Sequence, residues 1–96
     1  MIYRPGFSVM NQLVEKASRV TQFRPAAIRG PSRERSVAHV RFALMALARE
    51  KGLSTPAIAR GLGRKDHTTV LSGLQRAAVL RNDPDFSALV QALEAE

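Results

Sequence analysis

The sequence predicts an all-α domain of five to six helices around a helix-turn-helix, with a basic loop before the central helix. Apolar residues recur at three- and four-residue spacing along most of the chain, and no useful length alternates with a period of two. Helix-capping and helix-ending residues separate these segments. Because 96 residues suit one compact domain, we expect a single domain over residues 8–96 after a flexible lead-in over residues 1–7.

The first third of the chain predicts two helices and a basic loop. Ser8 suits the N-cap of an amphipathic helix, and Pro25 suits the first position of a short one. Gly30 and Pro31 end the second helix, since neither residue continues a helix comfortably. A basic loop follows over residues 32–35. The inward face of the first helix is predicted to be Met10, Leu13, Val14, Ala17 and Val20.

A central helix is predicted from its cap Ser36 to Lys51, with Gly52 as its natural C-terminal residue. Apolar side chains cover most of its surface, so it should pack against neighbours on several sides. The main stripe is Val37, Val40, Leu44 and Leu47, and residues 42–48 add an uninterrupted apolar run.

Three further helices complete the fold. One runs from Pro56 to Leu62, the next over residues 66–81, and the last begins with Asp83 as its cap and Pro84 at its first position. The first two, joined at residues 61–63, form the candidate helix-turn-helix. The predicted inward residues are Ile58, Leu62, Val70, Leu71, Leu74, Ala77, Ala78, Phe86, Leu89, Val90 and Leu93.

The charge is large, positive and unevenly placed. The net charge is +7 and the pI is about 11.3. Residues 31–65 hold eight Lys or Arg against two Glu, a balance of +6, whereas residues 66–96 hold two Arg against five acids, a balance of −3. This distribution indicates a polyanionic partner on one face and solvent or another partner on the other.

Several function classes have no support in the sequence. There is no Cys, and the two His have no companion at ligand spacing, so neither a metal site nor a cofactor is predicted. No residues are arranged as a nucleophile with its base, so an enzyme with a small-molecule substrate is not expected. The longest apolar run, 42–48, is too short to cross a bilayer, and the N-terminus lacks a signal peptide. We expect a cytoplasmic, nucleoid-associated protein without a membrane partner.

Residues 63–70, Gly-Arg-Lys-Asp-His-Thr-Thr-Val, carry the strongest functional signal. Arg64 and Lys65 can reach phosphates, and the short polar side chains that follow can reach base edges from the start of a recognition helix. Asp66 also has a purely structural interpretation, as a helix cap. Arg33 and Arg35 are likewise open to two interpretations: solvated charge, or an arm reaching into a minor groove.

The chain resembles the C-terminal DNA-binding domain of DnaA-type bacterial replication initiators, from about Leu13 to Leu93. The strongest match is residues 65–71, Lys-Asp-His-Thr-Thr-Val-Leu, beside the family signature Arg-Asp-His-Thr-Thr-Val. The Arg-Ser-Val run at residues 35–37, the Ala-rich helix that ends at residues 47–50 and the Ser-x-Pro-x-Ile pattern at residues 54–58 support it.

The resemblance implies a target, double-stranded DNA containing a short box close to TTATCCACA, and a role for each matching residue. By this resemblance, Asp66, His67 and Thr68 would read bases in the major groove. Thr69 would contact a base or the DNA backbone beside them, and Arg33 would insert into the minor groove. Phosphate or backbone contacts are expected of Arg35, Arg41, Arg49, Thr55, Pro56, Arg64 and Lys65. The resemblance also suggests a replication initiator or another replication protein as a partner.

The chain departs from the family pattern at several positions. Lys65 replaces the usual Arg, Arg64 stands where Gly is commoner, Val40 stands where Pro is common, and the connection at Gly52 is one residue short. No Walker-type phosphate loop is present, so we expect no ATPase activity from this chain, whether it is an excised domain or a stand-alone relative.

We therefore expect sequence-specific binding to DnaA-box-like sites that regulates replication initiation. The alternative is a protein–protein adaptor or a transcriptional regulator built on the same helices. In the adaptor, Leu89, Val90 and the acidic tail would form the contact.

Overall fold

A computed structural model describes the backbone of residues 5–95 and the side-chain surroundings of residues 9–95. Within that range the chain forms six α-helices and no strand, which confirms the all-α prediction. The helices are α1 (Pro5–Thr21), α2 (Pro25–Arg29), α3 (Arg35–Glu50), α4 (Thr55–Gly61), α5 (Thr68–Leu80) and α6 (Pro84–Glu94). The helix-turn-helix consists of α4, the α5 turn (residues 62–67) and α5.

Helix α3 lies at the centre and packs against all five other helices. Residues 43–48 are all buried, as the apolar coverage of this helix predicted. Helix α5 approaches α3 closely at Gly73, where a Cβ atom would collide with the sulfur of Met45. Gly73 is one of the buried residues of α5, with Val70 and Ala77.

Two predicted caps are wrong. Helix α1 begins at Pro5, so Ser8 lies inside it, because proline is well tolerated in the first helical turn and does not delay the helix. Residues 1–4 of the predicted lead-in lie outside the described residues. Helix α3 begins at Arg35, so Ser36 lies inside it, and the cap residue Glu34 makes no side-chain capping hydrogen bond.

Other helix ends match the sequence signals. Pro25 opens α2, and Gly52, with a φ of 92°, follows the end of α3. Ser54 caps α4, its Oγ accepting a hydrogen bond from the backbone N–H of Ala57 at 3.3 Å. Asp83 caps α6, its Oδ1 accepting from the backbone N–H of Asp85 at 2.9 Å.

Three residues predicted to face inward are exposed: Val20, Leu71 and Ala78. On α5 the buried stripe is Val70, Gly73 and Ala77. Successive helical residues are rotated by about 100°, and Leu71 and Ala78, which directly follow Val70 and Ala77, fall outside this stripe. No helix within residues 5–95 combines the length and the hydropathy of a bilayer-spanning segment.

Candidate nucleic-acid interface

The start of α5 projects from the body of the protein as the sequence predicted. Residues 65–69 are all exposed, whereas Val70 has no exposed surface. The carbonyl of His67 accepts hydrogen bonds from the backbone N–H groups of Val70 at 3.0 Å and Leu71 at 3.2 Å. Val70 therefore anchors the first helical turn in the core, and the polar side chains before it face solvent.

Asp66 holds the start of α5. Its Oδ1 accepts a hydrogen bond from the backbone N–H of Thr68 at 2.9 Å. That bond, and a second from the Thr68 side chain, lowers the pKa of Asp66 below its ordinary value. Asp66 thus accepts a backbone N–H, as its structural interpretation requires, but it precedes the N-cap residue His67, and the helix begins at Thr68 rather than at Asp66. A second role at a base edge stays a prediction.

The α5 turn is tightly fixed to its surroundings. Gly63 has a φ of 70°, and a Cβ there would lie 3.2 Å from the carbonyl oxygen of Arg29, so a side chain would be both strained and crowded. The next residue, Arg64, donates its backbone N–H to the carbonyl of Ala59 in α4 at 2.8 Å. The backbone that leads into α5 is therefore positioned by α2 and α4.

A side-chain contact joins the α5 turn to the Arg33 loop (residues 30–34). The Nη2 of Arg64 donates a hydrogen bond to the carbonyl oxygen of Gly30 at 2.7 Å. Arg33 itself is exposed, and Arg35 is exposed at the start of α3. The contact brings the loop that carries Arg33 next to the residues that lead into the start of α5.

Arg41 has a structural role and not the predicted phosphate contact. It is 7% exposed, and its guanidinium donates to the carbonyls of Ile28 at 2.7 Å, Ser32 at 2.8 Å, Gly30 at 2.8 Å and Ala27 at 3.3 Å. Burial, followed by the nearby charge of Arg64, lowers the pKa of Arg41. With its donors committed to backbone carbonyls, Arg41 holds the Arg33 loop in place.

Arg49, Thr55 and Pro56 form a second group of predicted contacts, at the other end of α4. Arg49 is exposed and donates from Nη1 to the carbonyl of Leu53 at 3.0 Å, while Pro56 is exposed and Thr55 half-buried. Helix α4 has seven residues and is therefore about 10 Å long. The predicted phosphate and backbone contacts thus flank both ends of α4, with Lys65 exposed on the α5 turn.

Sequence reasoning missed the part that Arg29 plays in assembling this region. Its Nε donates to the carbonyl of Gly61 at 3.2 Å, and its Nη2 donates to Oδ1 of Asn11 at 2.6 Å. These partners are 32 and 18 residues away along the chain, so no local pattern signals the contact. Among residues 5–95, no group of three or more His, Cys, Asp or Glu is placed to hold a metal ion.

Comparison with known proteins identifies the family. Residues 10–77 match the model of the bacterial dnaA protein helix-turn-helix. The chain belongs to this family. The match begins in α1 and ends in α5, so it includes the Arg33 loop and the whole helix-turn-helix turn. It confirms the resemblance inferred from the sequence and places the chain among DNA-binding helix-turn-helix domains.

Individual relatives agree with the family match. The chromosomal replication initiator protein DnaA of Thermomicrobium roseum is 42% identical over 72 residues, which cover 73% of this chain and 16% of that protein. The same initiator protein from Neisseria meningitidis and from Neisseria gonorrhoeae is 31% identical over 77 residues, covering 78% of this chain and 15% of theirs. The chain thus covers only a small part of the length of these relatives. No solved structure matches the chain at comparable significance.

Proposed function

We propose that this chain binds duplex DNA sequence-specifically at sites similar to DnaA boxes and, through that binding, regulates replication initiation at the nucleoid. The observation that supports this most is the Arg64–Gly30 hydrogen bond. It joins the turn before an exposed, polar helix start to a loop that carries an exposed arginine. One element suits a major groove and the other a minor groove, and a duplex presents both grooves side by side.

The residue types at the start of α5 suit base reading. Asp66 keeps a carboxylate that can accept from the amino group of cytosine. His67 offers ring nitrogens, and the threonines offer hydroxyls and methyl groups that can contact the methyl group of thymine. All four of these residues are exposed, and none is a lysine or arginine. A surface made only for phosphates would carry cations at these positions.

The remaining contacts are sequence-independent. Arg33 extends into the minor groove, where the negative potential attracts a guanidinium. Arg35, Arg49 and Lys65, with the Thr55–Pro56 backbone, contact phosphates and set the register of the protein on the duplex. The acidic residues of the last third, such as Asp85 and Glu94, belong to α6, which contributes none of the proposed contacts.

Anisotropy titrations with a labelled duplex test the proposal. One duplex contains TTATCCACA and the other a scrambled sequence of the same composition. With Arg35, Arg49 and Lys65 at phosphates and Arg33 in the minor groove, roughly three to four cations displace counterions, so the slope of log K against log salt is about −3 to −4. At physiological salt we expect the box to bind roughly 10³-fold more tightly than the scrambled duplex. Affinity that does not depend on salt would contradict duplex binding, and equal affinities would contradict sequence reading.

Part of the contact surface that the adaptor alternative requires is not fully exposed. Leu89 and Val90, its predicted contact residues, are half-buried and pack against the core. Among the large apolar side chains of the described residues, the most exposed is instead Val79 on α5, at 71% exposure, and Leu71 on the same helix is 45% exposed. Neither lies on α6 or in the acidic tail, so the structure does not favour the contact that the adaptor requires.

A further inference from the structure

Arg64 makes one hydrogen bond through its backbone and another through its side chain. Its backbone N–H donates to the carbonyl of Ala59, which belongs to α4, and its Nη2 donates to the carbonyl of Gly30, which begins the Arg33 loop. The side-chain contact spans 34 residues of sequence. An exposed arginine without such contacts would not fix the relative position of two loops. Arg64 is hydrogen-bonded at its backbone and at its guanidinium, so it links the α5 turn to the Arg33 loop like a strut.

The Gly30 carbonyl already has another donor. Nη2 of Arg41 lies 2.8 Å from the same oxygen, and Arg41 also binds the carbonyl of Ser32. The loop is therefore attached to α3 without any help from Arg64. What Arg64 adds is a connection from that loop to the α5 turn.

The arrangement also brings two positive charges together. Nη2 of Arg41 and Nη2 of Arg64 both donate to the carbonyl oxygen of Gly30, so the two guanidinium groups lie close to each other. Within the described part of the chain the one ion pair is Arg81 with Glu50, so no carboxylate offsets this pair of arginines. Two cations that converge on one neutral carbonyl repel each other. Stability alone does not explain why Arg64 points there.

We propose that Arg64 is a positioning residue that sets Arg33 at a fixed place relative to the base-reading start of α5. The inference rests on the proposed function and adds a coupling between its two DNA-reading elements. With the loop held in advance, binding loses less entropy in ordering it, so Arg33 contributes its full affinity. Without this contact the loop keeps its attachment to α3 through Arg41 but loses its attachment to the α5 turn, so it moves more and Arg33 contributes less.

The first experiment uses the free protein and needs no DNA. Backbone ¹⁵N relaxation is measured for the amides of residues 32–34 in the wild type, in Arg64→Met and in the matched control Lys65→Met. Met keeps most of the side-chain length and removes both the charge and the donor. We expect order parameters near the rigid value of about 0.85 in the wild type and in Lys65→Met, falling toward about 0.6 in Arg64→Met. An unchanged loop in Arg64→Met would overturn the proposal.

The second experiment is a double-mutant cycle on the box duplex. In the wild type, Arg33→Ala weakens binding roughly 5- to 150-fold. In the Arg64→Met background the same substitution is expected to cost at most about 3-fold, because the loop is no longer attached to the α5 turn. In the Lys65→Met background its cost stays as in the wild type. A cost of Arg33→Ala that is the same in all three backgrounds would overturn the proposal and leave Arg64 as an ordinary phosphate contact.

Failure of this inference is distinguishable from failure of the proposed function. A wild-type protein that binds box and scrambled duplexes equally contradicts sequence-specific binding, whatever the relaxation data show. A wild type that prefers the box, with additive effects in the cycle, contradicts only the role of Arg64. If Arg64→Met lowers helix content, Arg64→Gln replaces it. Gln removes the charge and is shorter than Arg, so the contact with Gly30 and the coupling should be lost in the same way.

Discussion

Helices α5 and α6 each begin beside an aspartate that accepts a backbone hydrogen bond, but the aspartate occupies a different position in each. In α5, Oδ1 of Asp66 accepts from the backbone N–H of Thr68 at 2.9 Å. In α6, Oδ1 of Asp83 accepts from the backbone N–H of Asp85 at 2.9 Å. In each case the donor lies two residues after the aspartate, but Asp83 is the N-cap of α6, whereas Asp66 precedes His67, the N-cap of α5.

The start of α6 has the residues that stabilise a helix. Pro84 occupies the first position, and Asp85 puts a negative charge in the first turn, where the helix dipole favours it. The start of α5 has neither feature. Its first turn holds no acid, it begins with two threonines, and His67 at the cap position makes no side-chain capping bond. A helix start that lacks stabilising residues but presents exposed polar ones is typical of a contact surface.

Converting one helix start into the other tests this comparison most strongly. Thr68→Asp gives α5 the acid that Asp85 supplies in α6. The dipole favours the new charge, so the free energy of unfolding should not fall. Binding to the box should weaken by more than about 100-fold, because a carboxylate would face phosphates and base acceptors. Asp85→Thr is the control and should change binding less than about 2-fold. Tight DNA binding by Thr68→Asp would mean that the α5 start does not meet DNA.

Arg33 tests whether the second element belongs to the same surface. Arg33→Ala should weaken binding to the box by roughly 1–3 kcal/mol while circular dichroism shows unchanged helix content. Arg33→Lys should lose part of the effect, since Lys lacks the planar guanidinium. Arg81→Ala, which removes an exposed arginine paired with Glu50, is the control and should bind nearly as the wild type does. If Arg33→Ala is neutral at physiological salt, Arg33 is only solvated charge.

Removing the two aspartates separates stability from DNA contact. Asp66→Ala and Asp83→Ala each delete one hydrogen bond to the backbone at a helix start, so thermal melts should show both variants less stable than the wild type. Only Asp66→Ala should also weaken binding to the box, by about 5-fold or more, with Asp83→Ala within about 2-fold. Equal effects of the two substitutions on DNA binding would mean that Asp66 only stabilises the start of α5 and does not contact DNA.

The depressed pKa of Asp66 predicts a small pH dependence with a definite sign. Hydrogen bonds from Thr68 favour the ionised carboxylate in the folded state, so its folded pKa lies below the ordinary value of 3.8. The stability that this group contributes is present above pH 3.8 and is lost as the pH falls through the folded pKa. Denaturation curves of wild type and Asp66→Asn should therefore converge as the pH falls from about 5 toward about 1. A difference that stays constant across this range would contradict the assignment.

Local signals in the sequence were enough to predict most of the fold. Pro25, Pro56 and Asp83 mark helix starts because their chemistry acts on the backbone beside them. The face of α5 was harder to predict. Gly73 has no side chain to register in an apolar pattern, yet it lies in the buried stripe of α5 against Met45, and Leu71 lies outside that stripe.

The candidate site shows the same limit. The exposed start of α5 follows from one continuous run of residues, so the sequence predicts it. The contacts of Arg41 and Arg64 with Gly30 join residues 11 and 34 positions apart, and no spacing rule reveals them. The resemblance suggested phosphate contact for Arg41, but matched motifs do not report burial. Only the packed structure shows that this guanidinium is enclosed by backbone carbonyls.

The most direct test of sequence reading by the α5 start is the affinity of His67→Ala and Thr68→Ala for box and scrambled duplexes, measured side by side. Both side chains are exposed, so thermal melts should stay near those of the wild type. We predict that each substitution costs about 1–3 kcal/mol on the box and changes binding to the scrambled duplex less than about 2-fold. Equal losses on the two duplexes would contradict the claim that these residues read bases.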